Sequence, residues 1–287
     1  MRKFPLTMHM PLFDRRNFAR RARGFTLIEL LVVISIIAVL AGIAFPVMQA
    51  ITNKGRMTRE IQAGRNLIGA YVAAAADRDG SFLPGYDRAV GELQLPNGNT
   101  VSGPPAQRYP YRLAPYFNFQ MDGTVLVNNN AKQIDTTNTY LVSCYPALAI
   151  NYIFVGGDVS NVGVLTYPAE CATRLASASS SPIVFTSATG SGPEGVTQTV
   201  EGYCILTPPQ LTGAMWSTAQ WKKGAAAASY GNVDPRYSGK AVCVFLDGRI
   251  QLLGIEELRD MRLWSCNAAA QNNPNYLIPA PVRGGRL

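Results

Sequence analysis

A single carboxylate at the start of a long apolar run is the side chain in this sequence with the most conspicuous chemistry. Glu29 is followed by residues 30–45, none of which is charged. An ionised carboxylate inside an apolar membrane segment is unfavourable, so such residues usually have a partner or a function. We therefore predict that Glu29 does more than help to anchor the chain, because anchoring alone needs no charge.

The apolar run is long enough to cross a membrane. As a helix, residues 25–45 would span about 30 Å, the thickness of a hydrocarbon core. Residues 1–24 hold seven Lys or Arg against one acid, Asp14, and the next basic residue is Lys54. This asymmetry predicts an N-terminus in the cytoplasm and a C-terminal body outside. Representative residues of the predicted span are Phe25, Leu30, Ile34, Leu40 and Phe45.

The junction between the basic leader and the apolar run has a specific pattern. Its residues are Gly24, Phe25, Thr26, Leu27, Ile28, Glu29 and Leu30. The pattern resembles, at every position, the class III signal of type IV pilins and type II secretion pseudopilins. The resemblance implies that a prepilin peptidase cleaves between Gly24 and Phe25 and then N-methylates Phe25. It also implies that Glu29 pairs with the terminal amine of a neighbouring subunit, which methylation leaves basic.

Two other interpretations of the N-terminal segment compete with this one. A secretory signal peptide has an apolar stretch of about 7–15 residues and a small-x-small cleavage site. Here the stretch is longer, and the best candidate site, at residues 42–44, is poor. The segment could instead be a single-pass anchor without processing, although Glu29 argues against that.

The net charge of +8 belongs mostly to the leader. The remaining residues carry 19 basic and 17 acidic side chains, and no run of Lys or Arg forms a phosphate-binding stripe. We therefore expect no nucleic acid among the partners.

All five cysteines lie in the part predicted to be outside the cytoplasm: Cys144, Cys171, Cys204, Cys243 and Cys266. None has C-x-x-C spacing, which argues against redox and zinc-ribbon motifs. An oxidising compartment permits disulfides, and five cysteines allow at most two. Because many pilins have a disulfide in their C-terminal region, the resemblance favours Cys243 with Cys266. Alternatively, several of the cysteines are simply small buried residues.

The sequence offers little for catalysis. Its one histidine, His9, lies in the leader, so the mature chain would lack Ser-His-Asp, Cys-His and His-metal chemistry. No spacing singles out a catalytic pair among the acids Asp158, Glu170, Glu194 and Glu201. The three tryptophans, Trp216, Trp221 and Trp264, could form a sugar-binding platform or could pack in the core. We expect no catalytic residue, no metal and no cofactor.

The elements that position these residues begin with one long helix. Apolar residues recur at helical spacing from residue 25 to about 77, and Pro46 predicts a kink near the membrane exit. The helix should stop at residues 77–80, with Gly80 as a left-handed cap. Asp77 and Asp79 could form a calcium site, but a turn is the expected role. Residues 73–84 also resemble the helix end of one pseudopilin-like group.

The C-terminal part has the pattern of an antiparallel sheet. Candidate strands are residues 139–143, 149–155, 182–187 and 201–206, and a hairpin turning at Asp247 and Gly248 precedes a short helix at 256–264. The hairpin resembles the H-x(9)-D-G box of the same pseudopilin-like group, with Gly239, Asp247 and Gly248 matching. Tyr237 stands where the box has His, which favours a structural role for this hairpin.

These features together predict an α+β fold in which a long N-terminal helix, with its first half in the membrane, packs on a C-terminal antiparallel sheet. The expected parts are a cytoplasmic leader (1–24), an assembly helix (25–46), the outer half of that helix (47–80) and a globular domain (81–287).

The expected function is a non-enzymatic structural subunit of a type II secretion or type IV pilus filament. Its partners would be a prepilin peptidase and methyltransferase, like subunits and an inner-membrane assembly platform. It would start in the inner membrane and end in a periplasmic or extracellular filament. The rival is an envelope-anchored carbohydrate-binding or hydrolytic module. Three questions are left open. They are whether the chain is a pseudopilin or a pilin, whether it is a major or a minor subunit, and which partner residues 85–230 bind.

Overall fold

A computed structural model describes residues 25–160, 165–192 and 199–279, so the leader, Gly24 and Glu194 lie outside the described residues. The chain divides into two units, Met1–Ala50 and Ile51–Leu287. Helices α1 to α7 are Leu27–Ala76, Pro104–Gln107, Tyr109–Leu113, Asn130–Gln133, Thr139–Cys144, Ile255–Leu258 and Cys266–Ala270. Strands β1 to β10 are Tyr86–Asp87, Glu92–Gln94, Thr100–Ser102, Leu148–Ile150, Asp158–Val159, Ile183–Ser187, Thr189–Ser191, Thr199–Glu201, Lys240–Phe245 and Ile250–Gly254. Short 3₁₀ helices lie at Ala114–Phe117, Leu175–Ser177, Ala227–Tyr230 and Met261–Leu263.

Helix α1 ends close to the predicted position. The Gly80 N–H donates to the Ala75 carbonyl oxygen at 2.8 Å, and Asp79 and Gly80 adopt φ values of 52° and 78°. This six-to-one hydrogen bond with left-handed residues is the Schellman ending of a helix. Helix α1 runs through Pro46 without interruption, and the kink expected there stays a prediction.

The central sheet has four strands in the order β10-β9-β6-β4, and each neighbouring pair is antiparallel. A long N-terminal helix followed by this sheet confirms the predicted α+β fold. Three two-stranded pairs complete the β structure of the described residues: β1 with β5 in parallel, and β2 with β3 and β7 with β8 in antiparallel.

The sheet separates two hydrophobic cores, because successive residues of a strand point to opposite faces. In the first, which we call the helix-side core, Val242 and Val244 of β9 cluster with Leu67 and Tyr71 of α1. The second, the C-terminal core, lies on the other face, and its members include Ala241, Cys243, Phe245, Trp216, Leu258 and Trp264. The outer half of α1 therefore packs on the sheet as predicted.

One glycine sets how closely α1 approaches the sheet. A Cβ on Gly64 would lie 2.7 Å from Cγ2 of Val244 and 3.6 Å from Cδ1 of both Leu148 and Ile250. A glycine in a helix interior normally weakens the helix. In the structure, the lack of a side chain at Gly64 allows α1 to pack closely on the sheet. A Cβ on Gly55 or Gly69 would contact nothing within 4 Å.

Two tight turns border β9. Before it, Tyr237 and Lys240 exchange both backbone hydrogen bonds at 3.0 Å, and Ser238 and Gly239 both have positive φ. This is the geometry of a type I′ turn. After it, the Gly248 N–H donates to the Phe245 carbonyl at 3.0 Å and only Gly248 is left-handed. The second connection is therefore a type I turn closed by a glycine bulge rather than a two-residue Asp-Gly turn.

Four of the predicted C-terminal elements need correction. Of the strand predicted at 149–155, only residues 149 and 150 belong to β4. Residues 139–143 form helix α5 rather than a strand, because the Asn138 side chain caps it by accepting from the Leu141 N–H at 3.2 Å. The predicted strand at 201–206 shares only residue 201 with β8, and Ile205 makes one isolated bridge to Ile150. The predicted helix at 256–264 is α6 followed by a separate 3₁₀ turn, Met261–Leu263.

Candidate functional site

The first candidate site is the start of α1, where Glu29 and Thr26 bond reciprocally. The Thr26 N–H donates to Glu29 Oε2 at 2.8 Å, and the Thr26 hydroxyl donates to the same oxygen at 2.9 Å. In return the Glu29 N–H donates to Thr26 Oγ1 at 3.2 Å. This is a capping box, in which two otherwise unpaired backbone donors at the helix N-terminus are satisfied. Glu29 thus has a local role that sequence reasoning missed, although the T-x-x-E spacing signals it.

The apolar side chains of the N-terminal segment are exposed. Phe25, Leu27 and Phe45 are 76%, 85% and 70% exposed, and the other large apolar side chains up to Ile51 are exposed as well. Beyond residue 51, the exposed large apolar side chains among the described residues are Tyr140, Leu175, Met215 and Leu277. In the part of the chain that the structure describes, one helix, α1, is long and apolar enough to cross a membrane. Exposed apolar surface on this scale needs a membrane or partner helices to cover it.

The second candidate site is built around Glu60 of α1, which is fully buried. The Tyr237 hydroxyl donates to Glu60 Oε2 at 2.5 Å, and the Ser187 hydroxyl donates to Glu60 Oε1. Ser187 Oγ in turn accepts from the Val242 N–H at 2.8 Å. Tyr237 therefore joins the start of the C-terminal hairpin to the long helix. The structural role expected for this hairpin from its resemblance to the H-x(9)-D-G box stays a prediction.

A single guanidinium neutralises much of the charge around Glu60. Arg236 Nη1 lies 3.6 Å from Glu60 Oε2 and 3.5 Å from Glu201 Oε2, and Arg236 Nε lies 3.0 Å from Asp234 Oδ2. Burial opposes the charge of Arg236, but the three carboxylates outweigh it and raise the pKa of Arg236. Burial, and then the neighbouring Glu60 charge, raise the pKa of Tyr237 well above its usual value. We call Glu60, Ser187, Glu201, Asp234, Arg236 and Tyr237 the buried polar cluster.

The position of Glu60 along α1 is a sequence signal for this cluster. Glu60 lies three and seven residues before Ala63 and Leu67, so it belongs to the buried stripe of α1 rather than to its polar face. A buried carboxylate needs a cationic or donor partner. Its partners Tyr237 and Arg236 are distant in sequence, 177 residues away in the case of Tyr237, so periodicity alone could not identify them.

The residues considered for sugar binding or catalysis are dispersed. Trp216 and Trp264 are buried and contact each other edge to face at 5.9 Å, so they are core residues. Trp221, with Glu201 and Asp234, lines an open groove of about 730 Å³. Glu170 accepts from Tyr276 and Asn267, and Asp158 accepts from Ser160 and Thr166. The predicted acids do not come together as a catalytic pair among the described residues.

The predicted disulfide is not made in this structure. Cys243 faces the C-terminal core and Cys266 belongs to the helix-side core, and all five cysteines are free thiols. No group of three or more His, Cys, Asp or Glu in the described ranges could hold a metal ion. At the helix ending, Arg174 Nη2 donates to the backbone carbonyl oxygen of Asp79 at 2.6 Å.

Comparison with known proteins supports the interpretation of the N-terminal segment. Residues 19–45 match the family model described as a prokaryotic N-terminal methylation motif. Over 51 residues the chain is 47% identical to Fimbrial protein Q and to the type IV major alpha-pilin, both from Moraxella bovis. No solved structure matches the chain. The predicted prepilin-type signal is therefore confirmed, and the chain is similar to type IV pilins.

The similarity is confined to a minor part of each chain. The matched segment covers 17% of this chain and 32% of each relative. It therefore spans about a third of the length of the curated relatives. What the rest of the chain does has to be argued from its own residues.

Proposed function

We propose that this chain is a structural filament subunit of the type IV pilus or type II secretion class rather than an enzyme. A prepilin peptidase cuts between Gly24 and Phe25 and N-methylates Phe25. The precursor spans the inner membrane with its N-terminus in the cytoplasm, and the processed subunit is moved by an assembly platform into a periplasmic or extracellular filament. The observation that carries the proposal is the methylation motif at residues 19–45, whose exposed apolar segment holds one carboxylate, Glu29.

Assembly buries what the single subunit exposes. The apolar side chains of residues 25–45 pack on the same segments of neighbouring subunits, and this head-to-tail contact propagates without closing. Each mature subunit brings one amine at Phe25 and one carboxylate at Glu29. An ion pair between subunits neutralises both charges inside an apolar core, where either one alone would be costly.

Two substitutions separate the ion pair from the capping role of Glu29. Gln serves at the third position of a capping box as Glu does. Glu29→Gln therefore keeps the cap and removes only the charge, whereas Thr26→Ala removes the cap and keeps the charge. We expect Glu29→Gln to be processed and inserted normally but to lose subunit-to-subunit cross-links in intact cells. Thr26→Ala should keep those cross-links.

The rival function, an anchored carbohydrate-binding or hydrolytic module, predicts the opposite results. Its activity would depend on the groove beside Trp221 and would be indifferent to Glu29. Cross-linked ladders of normal intensity with Glu29→Gln, measured alongside carbonate extraction to confirm insertion, would contradict the filament proposal.

A further inference from the structure

Two of the cysteines, Cys144 and Cys204, lie on segments that run side by side. The Tyr203 N–H donates to the Pro146 carbonyl at 2.9 Å, and the Ile150 N–H donates to the Cys204 carbonyl at 3.3 Å. Between them, a Cβ on Gly202 would lie 2.5 Å from the Tyr145 carbonyl oxygen, so the two backbones touch. Both cysteines are buried, and each thiol is close enough to shift the pKa of the other.

The surroundings of this pair favour thiolate chemistry at one of the two sulfurs. The hydrogen bond from Cys204 and then the nearby Arg108 guanidinium act against burial and lower the pKa of Cys144 to about 7. The hydrogen bond to Cys144 and burial raise the pKa of Cys204. An unsymmetrical pair of this kind has one thiol ready to attack and one that resolves.

We propose that Cys144 and Cys204 form a disulfide when the globular unit meets an oxidising compartment. Formation in the cell rests on the export described under the proposed function, but the pairing itself rests on the geometry above. No such partner is evident for Cys243, whose thiol lies on the opposite face of the sheet in the C-terminal core and donates to the Ala241 carbonyl.

The oxidant is a disulfide, either of an envelope thiol oxidase or of glutathione. The Cys144 thiolate attacks one sulfur of that disulfide and displaces the other as a thiolate, which leaves a mixed disulfide. Cys204 gives up its proton and attacks Cys144 Sγ, and the second thiolate leaves. Two protein thiols are oxidised, one external disulfide is reduced to two thiols, and the two protons end on those thiols.

Peptide mapping without reduction tests the pairing. Trypsin leaves Cys144 and Cys171 on one peptide, because no Lys or Arg lies between Lys132 and Arg174. Chymotrypsin, which cleaves after Tyr152 and Phe154, separates them. The full-length protein in detergent is reduced, oxidised with glutathione disulfide, treated with maleimide and digested. In a second arm, cells are treated with maleimide before lysis.

We expect a linked peptide pair that contains Cys144 and Cys204 in both arms, and the control Cys243→Ala should give the same pair. Reduction should lower the Tm by roughly 5–15 °C, as loss of a disulfide in a domain of this size does. Two free thiols after glutathione oxidation, or a bond from either residue to another cysteine, would overturn the pairing. If the Cys144–Cys204 disulfide forms in the purified protein but is absent from cells, the result supports the pairing and counts against export. The disulfide proposal and the proposed function can therefore fail independently.

Discussion

At the residue scale, two carboxylates on one helix have different partners. Glu29 lies exposed in an apolar run and accepts from Thr26, which is close in sequence, whereas Glu60 is buried and accepts from Ser187 and Tyr237, which are far away in sequence. A side chain that is exposed in the single subunit is available to a neighbouring subunit. A side chain whose hydrogen bonds are already made within the fold contributes to the stability of that fold instead.

Removal of one hydroxyl from the buried polar cluster tests its contribution. Tyr237→Phe leaves the ring and deletes the donor to a buried carboxylate, so we expect a loss of about 1.5–3 kcal/mol in the free energy of unfolding. Urea unfolding followed by tryptophan fluorescence, to which the buried Trp216 and Trp264 contribute, measures it. If Tyr140→Phe, at an exposed tyrosine, costs as much as Tyr237→Phe, the cluster does not have the stabilising role described here.

Buried tyrosines also predict a dependence of stability on alkaline pH. Burial raises the pKa of Tyr71 and Tyr109 well above 10.0, and their hydroxyls donate to the carbonyls of Leu83 and Leu148. Above about pH 10 the unfolded chain loses these protons while the folded chain keeps them. Their contribution is therefore complete below about pH 10, and each should lose about 1.4 kcal/mol per further pH unit.

The urea midpoint measured across this pH range checks that expectation. Tyr109→Phe should make the alkaline decline less steep. An unchanged slope in Tyr109→Phe would mean that the folded protein releases this proton as readily as the unfolded chain does.

At the scale of elements, contact between α1 and the sheet depends on Gly64. Gly64→Ala gains about 0.5–1 kcal/mol of helix propensity, but it forces a methyl group against the stiff side chain of Val244. We expect the cost of overpacking to exceed the gain in helix propensity, with a net loss of about 1–2 kcal/mol in the free energy of unfolding. Gly69→Ala, on the exposed face of the same helix, should gain the propensity without the clash. Thermal unfolding of the two variants decides the matter, and equal shifts of the same sign would contradict the packing argument.

The elements that sequence reasoning predicted correctly are those with local signals. The end of α1 follows from the residues just after it, and strand β6 follows from an apolar segment between breakers. Helix α5 was missed because a side-chain cap at Asn138 overrides the strand preference of Tyr140, Leu141 and Val142. The buried state of Glu60 and the position of Gly64 depend on residues far away in the chain. Those contacts follow only from the tertiary fold.

At the scale of the whole molecule, the proposed function assigns the charge asymmetry of the precursor and the exposed apolar helix to different stages. In that proposal the basic leader orients the precursor, and the apolar helix holds it in the membrane until assembly covers the same surface with other subunits. The globular unit has its own cores, on the two faces of one sheet. Its fold explains how the outer half of α1 is held, and the match to known proteins is confined to the N-terminal motif and a limited stretch of pilin similarity.

The central claim, that the chain is a processed filament subunit, is tested most directly at the N-terminus of the mature protein. Intact mass and N-terminal peptide mass spectrometry are applied to the protein from a membrane fraction of cells with an active prepilin peptidase. The account predicts a chain that begins at N-methylated Phe25. A chain that still begins at Met1 would contradict it and would identify the helix as an unprocessed anchor.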